Sequence, residues 1–177
     1  MNIKLKRLDV SEIDTFQEKM HESFKSAVIN RFDVEDAAPI PPKYDIAHTI
    51  KDTNTEAWAI MLDKTPVGGA VIRRPATNTE KRYSLELLFI FNEHVNKKLG
   101  YSAWLAIEKQ YPNAEIWETH TPYFERRNIH FYINKCGFKV VEFYCEHHRE
   151  EHDLTNEFKD INTSGFFRFE KRMTSEN

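Results

Sequence analysis

The chain has 177 residues, 25 Lys and Arg against 28 Asp and Glu, and a net charge of −3 with both signs interspersed. That length predicts one domain with a sizeable core, and the missing basic excess argues against a nucleic-acid partner. Thirteen Phe, seven Tyr and three Trp argue against disorder, while Cys136 and Cys145 are too few for a disulfide scaffold.

Residues 2–8 alternate apolar and polar side chains and predict a strand with one wet face. Ser11-Glu12-Ile13-Asp14 reads as an N-cap with acids in the first turn. Ile13, Phe16, Met20, Phe24, Ala27 and Val28 then recur at helical spacing. Pro39-Ile40-Pro41-Pro42 is a stiff linker. Ala57–Leu62 and Val67–Arg73 predict a hairpin through Asp63-Lys64-Thr65-Pro66. Tyr83–Phe91 is the most apolar strand, and its near-continuous apolar character predicts burial on both faces. A helix over Lys98–Gln110 with Leu99, Ala103, Ala106 and Ile107 inward comes next, followed by a strand over Ala114–His120. A second helix over Glu125–Cys136 stops at Gly137 in the C-cap position, and Phe138–Cys145 and Gly165–Arg172 read as closing strands. The run Leu85–Phe91 falls far short of the ~20 apolar residues a membrane span needs. Because the first seven residues also lack a signal-peptide core, the expectation is a cytoplasmic chain with no membrane partner.

Motif spacing removes several chemistries. Gly68, Gly69, Gly100, Gly137 and Gly165 give no Walker loop, dinucleotide fingerprint or nucleophile elbow. No C-x-x-C pair supports a cysteine zinc site. His148-Arg149-Glu150-Glu151-His152 has the spacing of a two-histidine metal helix, but Glu146–Asp153 is charged throughout and reads as a solvated loop, so no metal is expected.

Residues 83–120 form a βαβ unit, whose strands run parallel with a right-handed crossover. Ligands of such units sit beyond the carboxyl ends of the strands, near the next helix N-terminus. That directs attention to Asn92–Tyr101, where Lys97 and Lys98 lie beside helix amides able to hold a phosphate; the plainer reading is a loop with solvated lysines. Glu86 is the one charge inside the apolar strand. Buried and unpaired, its pKa would rise and suit a general base; alternatively it points to an edge or pairs with an arginine such as Arg73 or Arg74 on the adjoining hairpin, and Glu118 is a second candidate.

Leu85–Ile90, the turn into Leu99-Gly100-Tyr101-Ser102-Ala103, and Asn128-Ile129-His130-Phe131-Tyr132-Ile133-Asn134-Lys135-Cys136-Gly137-Phe138 together resemble the GNAT superfamily of acyl-CoA-dependent N-acetyltransferases. The N-x-x-x-F-Y-x-x-x-G-F block is the more specific half. In the family's Q/R-x-x-G-x-G/A loop, Val95 stands at the Gln/Arg place, Lys98 at the first Gly place, and only Gly100 matches. The resemblance implies an α+β fold in α/β/α layers: a mixed sheet of about seven strands with splayed central parallel strands, and about four helices. It further implies one domain over 1–177 with its cofactor region at about 83–141. Acetyl-CoA is the implied acyl donor, with pantetheine along Leu88, Phe89 and Ile90 and pyrophosphate on Asn96, Lys97, Lys98, Leu99, Gly100 and Tyr101. By the same resemblance Asn128 bonds the cofactor arm, Lys135 reaches the nucleotide, Tyr132 is the general acid and Glu86 the base. Cys136 reads as a buried small hydrophobe, and His120 and His130 are weaker candidates for proton transfer.

The implied acceptor pocket is built from the first helices, the loop after them and the last strands. It would carry Glu12, Glu18, Glu22, Asp33, Glu35 and Asp36, with Tyr44, Trp58 and Phe166 as walls. Such a lining favours a cationic amine, small molecule or peptide; a homodimer is left open. The rival reading is a non-catalytic acyl-CoA-binding module, motivated by the altered 95–100 loop.

Overall fold

The computed structural model describes residues 2–32, 49, 51–77, 79–95, 98–145, 147–148 and 165–173. The linker 39–42 and residues 149–152 of the two-histidine motif lie outside these. In chain order the elements are β1 (Ile3–Arg7), a 3-10 turn (Val10–Glu12), α1 (Ile13–Phe32), β2 (Thr55–Leu62), β3 (Thr65–Arg73), β4 (Arg82–Ile90) and a second 3-10 turn (Asn92–His94). There follow α2 (Leu99–Gln110), β5 (Ile116–Pro122), α3 (Arg126–His130) running on as a π-helical turn (Phe131–Lys135), β6 (Lys139–Tyr144) and β7 (Phe166–Arg172). The described residues thus hold seven strands and three α-helices, in the mixed α+β arrangement expected. None of those helices is long and apolar enough to cross a membrane.

The sheet order is β1-β2-β3-β4-β5-β7-β6. Among the described strands only β4 and β5 are parallel, as the intervening helix requires. The start of α1 is held by Glu12, whose carboxylate accepts the Asp9 N–H at 3.0 Å, three residues back, as in a capping box. The β2–β3 turn is tighter than the sequence suggests: Asp63 takes a left-handed φ of 55°, and β3 begins at Thr65. Pro66 is tolerated inside the strand because the register shifts there, between Ile60 and Met61 of the partner.

The two faces are covered separately. Phe16 and Met20 of α1 pack with Val71, Phe89 and Phe91. Trp104 and Ile107 of α2 pack with Tyr132, Phe138, Leu85, Trp117 and Phe169. Ala106, expected inward, is half-buried, and the bulkier Trp104 is fully buried instead. Gly69 lets α1 approach: a Cβ there would overlap the Phe16 ring. At the start of β2, Glu56 accepts from the Tyr111 hydroxyl and from Arg7 Nη1, and the Trp58 indole N–H donates to Tyr111 at 2.8 Å.

β4 departs from expectation. Only Leu85 and Phe89 are fully buried along it, the others from Tyr83 to Ile90 being half-buried. Two causes act together. Val71 pairs with Leu87 and Ile72 with Leu85, leaving Glu86 as a bulge residue; the extra residue reverses the alternation, so Leu85 packs with α2 and α3 while Phe89 packs with α1. In addition, β4 and β5 share three register pairs, Arg82 with Ile116, Tyr83 with Trp117 and Ser84 with Glu118. Beyond Ser84 no described strand pairs with that edge of β4, and a gap opens toward the N-terminal end of α2.

Candidate active site

The gap has three boundaries. One is the unpaired edge of β4 over Leu85–Ile90, which contains Leu88, Phe89 and Ile90. At the carboxyl end of β4 the second boundary is the N-terminus of α2. Lys98, its N-cap, has φ 57° and ψ 15°, makes no side-chain cap bond, and no acid stands in the first turn. The amides of Leu99, Gly100 and Tyr101 therefore begin a twelve-residue helix with no carboxylate of that turn among them. Lys98 stands where the family pattern has glycine and keeps glycine's left-handed backbone. A Cβ on Gly100 would lie 3.5 Å from Phe131, an ordinary contact, so the fold itself does not demand glycine there. Asn96 and Lys97 lie outside the described residues.

The third boundary is the inner face of β5 with α3. Trp117, Thr119 and Thr121 are buried in strict alternation. Thr119 lies one residue past the last β4–β5 pair, and its hydroxyl donates to the Leu85 carbonyl at 2.8 Å, bridging the two strands where they part. Tyr132 lies on the helix beside this strand, where Thr119 acts to lower its phenol pKa. One turn earlier, Asn128 Nδ2 reaches Thr121 Oγ1 at 3.4 Å. The helix expected over Glu125–Cys136 begins at Arg126 and widens into a π turn, in which Cys136 N–H donates to Phe131 O at 3.0 Å. Gly137 closes it with φ 80°. The Tyr132 ring packs between Phe131, Phe138 and Phe169 with centroids 5.5 to 5.7 Å away. Burial pushes its phenol up to about 12, with Thr119 acting the other way, so the proton stays on Tyr132 at neutral pH.

Glu86 lies with Arg73: Nε donates to its carboxylate at 3.1 Å, and Arg73 also bonds Asp52. Burial opposes the Arg73 charge, but Glu86 and Asp52 outweigh it and hold its pKa above the ordinary value. Of the two readings open from the sequence, the isolated carboxylate gives way to the ion-paired one. Glu118, on the outer face of β5, is held by Arg82 at 3.1 Å and Arg168 at 3.0 Å. His120 stacks on Tyr144 with centroids 6.2 Å apart, and His130 bonds Asn134 at 2.9 Å. Cys136 is buried, which pushes its thiol up to about 12 despite the nearby Lys171. Lys135 is exposed at the end of the π turn.

On the acceptor side several expectations change. Trp58 lies in the core beneath α2, bonded to Tyr111. Glu12 is spent on the Asp9 N–H and on Lys6. Glu18 and Glu22 are exposed and Phe166 is half-buried, while Asp33, Glu35, Asp36 and Tyr44 lie outside the described residues. His148 places Nε2 2.8 Å from Glu142. Thr119 and Thr121 are site residues that motif spacing misses. Their signal is the alternation Trp117-x-Thr119-x-Thr121, with both threonines on the buried face of a strand.

The sequence model of the acetyltransferase (GNAT) family matches residues 17–138. The Bacillus subtilis uncharacterized protein YrkN is 44% identical over 169 residues, covering 92% of this chain and 89% of that one. Among solved structures, a Bacillus subtilis acetyltransferase in complex with CoA superposes with a TM-score of 0.67 at 15% identity, over 98% of this chain and 100% of that one. The PaiA N-acetyltransferase of Thermoplasma acidophilum, in complex with coenzyme A, gives 0.61 at 19% identity over 98% and 100%. At these identities the structural matches establish a common fold.

Proposed function

The chain belongs to the GNAT acetyltransferase family, and from that premise we propose that it transfers an acetyl group from acetyl-CoA to a primary amine of a small molecule or peptide, by direct attack in a ternary complex. The observation that carries this reading is the parting of β4 and β5 after Ser84 and Glu118, with the N-terminus of α2 at one end and Tyr132 on the floor. CoA in the two solved relatives supports it.

Acetyl-CoA supplies an activated thioester. The amides of Leu99, Gly100 and Tyr101 hold its pyrophosphate, with Lys98 adding charge; Asn96 and Lys97 are assigned to the same role from the sequence alone. The unpaired backbone of Leu88–Ile90 takes the pantetheine arm as an added strand would be taken, Asn128 bonds the arm, and Lys135 reaches the nucleotide. An amine of pKa ~10 must give up a proton before it attacks. Glu86, directly or through water, is the proposed acceptor, with Glu118 the next carboxylate along the sheet. As the nitrogen–carbon bond forms and the carbon–sulfur bond breaks, Tyr132 protonates the departing thiolate.

Thiol release over a panel of amines, alongside calorimetry of CoA binding, tests the reading. Release with at least one amine is expected. CoA binding with no release on any amine favours the non-catalytic module. Tyr132→Phe is expected to lower kcat on the order of a hundredfold with CoA affinity unchanged; unaltered turnover removes Tyr132 from the mechanism. Glu86→Gln should slow turnover, and an unchanged rate passes the role to Glu118 or water.

A further inference from the structure

Beyond Ser84 and Glu118 the described parts of β4 and β5 share no register pair, so the gap is a wedge that opens toward α2 and narrows to a point beside Leu85. A side chain closes that point. Thr119, buried on the inner face of β5, donates its hydroxyl to the Leu85 carbonyl at 2.8 Å, where a continuing parallel ladder would supply a main-chain N–H. A methylene needs roughly 3.5–4 Å to the atoms on either side of it, so a bridge of 2.8 Å lets none pass. The space behind is filled as well: Leu85, Trp117 and Phe169 are fully buried in one cluster with Tyr132. Thr119 is also stiff, because branching at Cβ restricts its rotamers and its backbone belongs to β5.

A donor whose phosphates rest at the N-terminus of α2, and whose arm runs back along Ile90, Phe89 and Leu88, brings its thioester to the narrow end. The acyl group is then the part of the donor nearest the bridge. We propose that the Thr119–Leu85 bridge is the end-stop of the acyl pocket and fixes the length of the acyl chain: a two-carbon group fits in front of it and a four-carbon group does not. The inference rests on the reading that acyl-CoA lies in the gap, and it holds whether or not transfer follows. A longer chain has to force the bridge apart, which leaves the Leu85 carbonyl without its partner, or draw the arm back off the β4 edge. Each methylene that a pocket cannot take is worth about tenfold or more in discrimination.

Calorimetry on the full chain with CoA, acetyl-CoA and butyryl-CoA tests it. The parent is expected to bind acetyl-CoA within about threefold of CoA, and butyryl-CoA at least about tenfold more weakly than acetyl-CoA. Thr119→Ala removes both the hydroxyl and the γ-methyl, and should bring butyryl-CoA to within about threefold of acetyl-CoA. Thr119→Ser keeps the hydroxyl and should keep the parent's discrimination. Equal affinity of the parent for acetyl-CoA and butyryl-CoA, undiminished discrimination in Thr119→Ala, or its loss in Thr119→Ser as complete as in Thr119→Ala would each overturn the proposal. If CoA itself does not bind, the reading of the gap has failed and the proposal with it, a result distinct from CoA binding without discrimination. If Thr119→Ala does not fold, Thr119→Val, which keeps the bulk and loses the tie between the strands, replaces it; discrimination there should fall at least about threefold, and an unchanged ratio overturns the proposal.

Discussion

Lys98 holds a backbone conformation that a non-glycine residue enters at a cost of roughly 1–2 kcal/mol, and it does so at the N-cap of α2 with no capping bond from its own side chain. Relief of that strain outweighs the added freedom of an unfolded glycine, so Lys98→Gly should raise stability by about 0.5–1 kcal/mol, read as a rise in Tm of a few degrees. If its charge serves a bound pyrophosphate, the same variant binds CoA more weakly by calorimetry. Cys136 gives a second test. A thiol pushed up to about 12 by burial carries almost no thiolate at neutral pH, so an alkylating reagent should label Cys136 only after unfolding. Labelling in the native protein would contradict its place in the core. At this scale the sequence is informative where a residue type is chemically unusual in its place. Asn128, Tyr132 and Gly137 stand out in a helix, and Lys98 stands out against the family pattern. Thr119 does not, because a threonine in a strand is an ordinary β-former, and only the fold brings its hydroxyl onto the Leu85 carbonyl where β4 and β5 part.

The strand and helix positions follow from periodicity to within a residue or two, since α2 repeats at helical spacing and β5 alternates. What periodicity misses are the two irregular elements that shape the site. The bulge at Glu86 exists because β3 pairs Val71 with Leu87 and Ile72 with Leu85, a property of the partner strand that β4 alone does not encode. The π turn over Phe131–Lys135 likewise keeps a helical pattern of apolar residues while adding one residue to the turn. The apolar run of β4 predicts burial on both faces, and the half-burial of most of its side chains follows from the loss of β5 on one edge. The seating of α1 makes an element-scale prediction. Gly69→Ala places a Cβ into the Phe16 ring, and such overpacking should destabilise by about 1–3 kcal/mol, measured by chemical denaturation.

Across the whole molecule, charge is arranged as a lattice over the outer face of β5, β7 and β6. Arg168 bonds Glu118, Glu142 and Glu170, Arg82 bonds Glu118 and Glu170, and Glu142 also meets His148 and Tyr144. His148, then Tyr144 and Arg168, hold the Glu142 carboxyl down at about 2 against its ordinary 4.5. A carboxylate with a lowered native pKa contributes stability above its unfolded value, and that contribution is lost as pH falls through the native one. Tm should therefore fall between pH 4.5 and about 2, more steeply than in Glu142→Gln, with the difference measured by scanning calorimetry; parallel profiles would remove Glu142 from acid unfolding.

The seam between β4 and β5 has a mechanical consequence. Among the described residues β4 and β5 share three residue pairs, with Arg82 bonded to Glu118 and Glu170 at that same end and the Thr119 hydroxyl bonded to Leu85 O just beyond it, and past that point no strand pair joins the two halves of the sheet. Amides along Leu85–Ile90 that point away from β3 should therefore take up deuterium sooner than those inside the β2–β3 ladder. A molecule laid along that edge would slow their exchange, as though a missing strand had been supplied from outside.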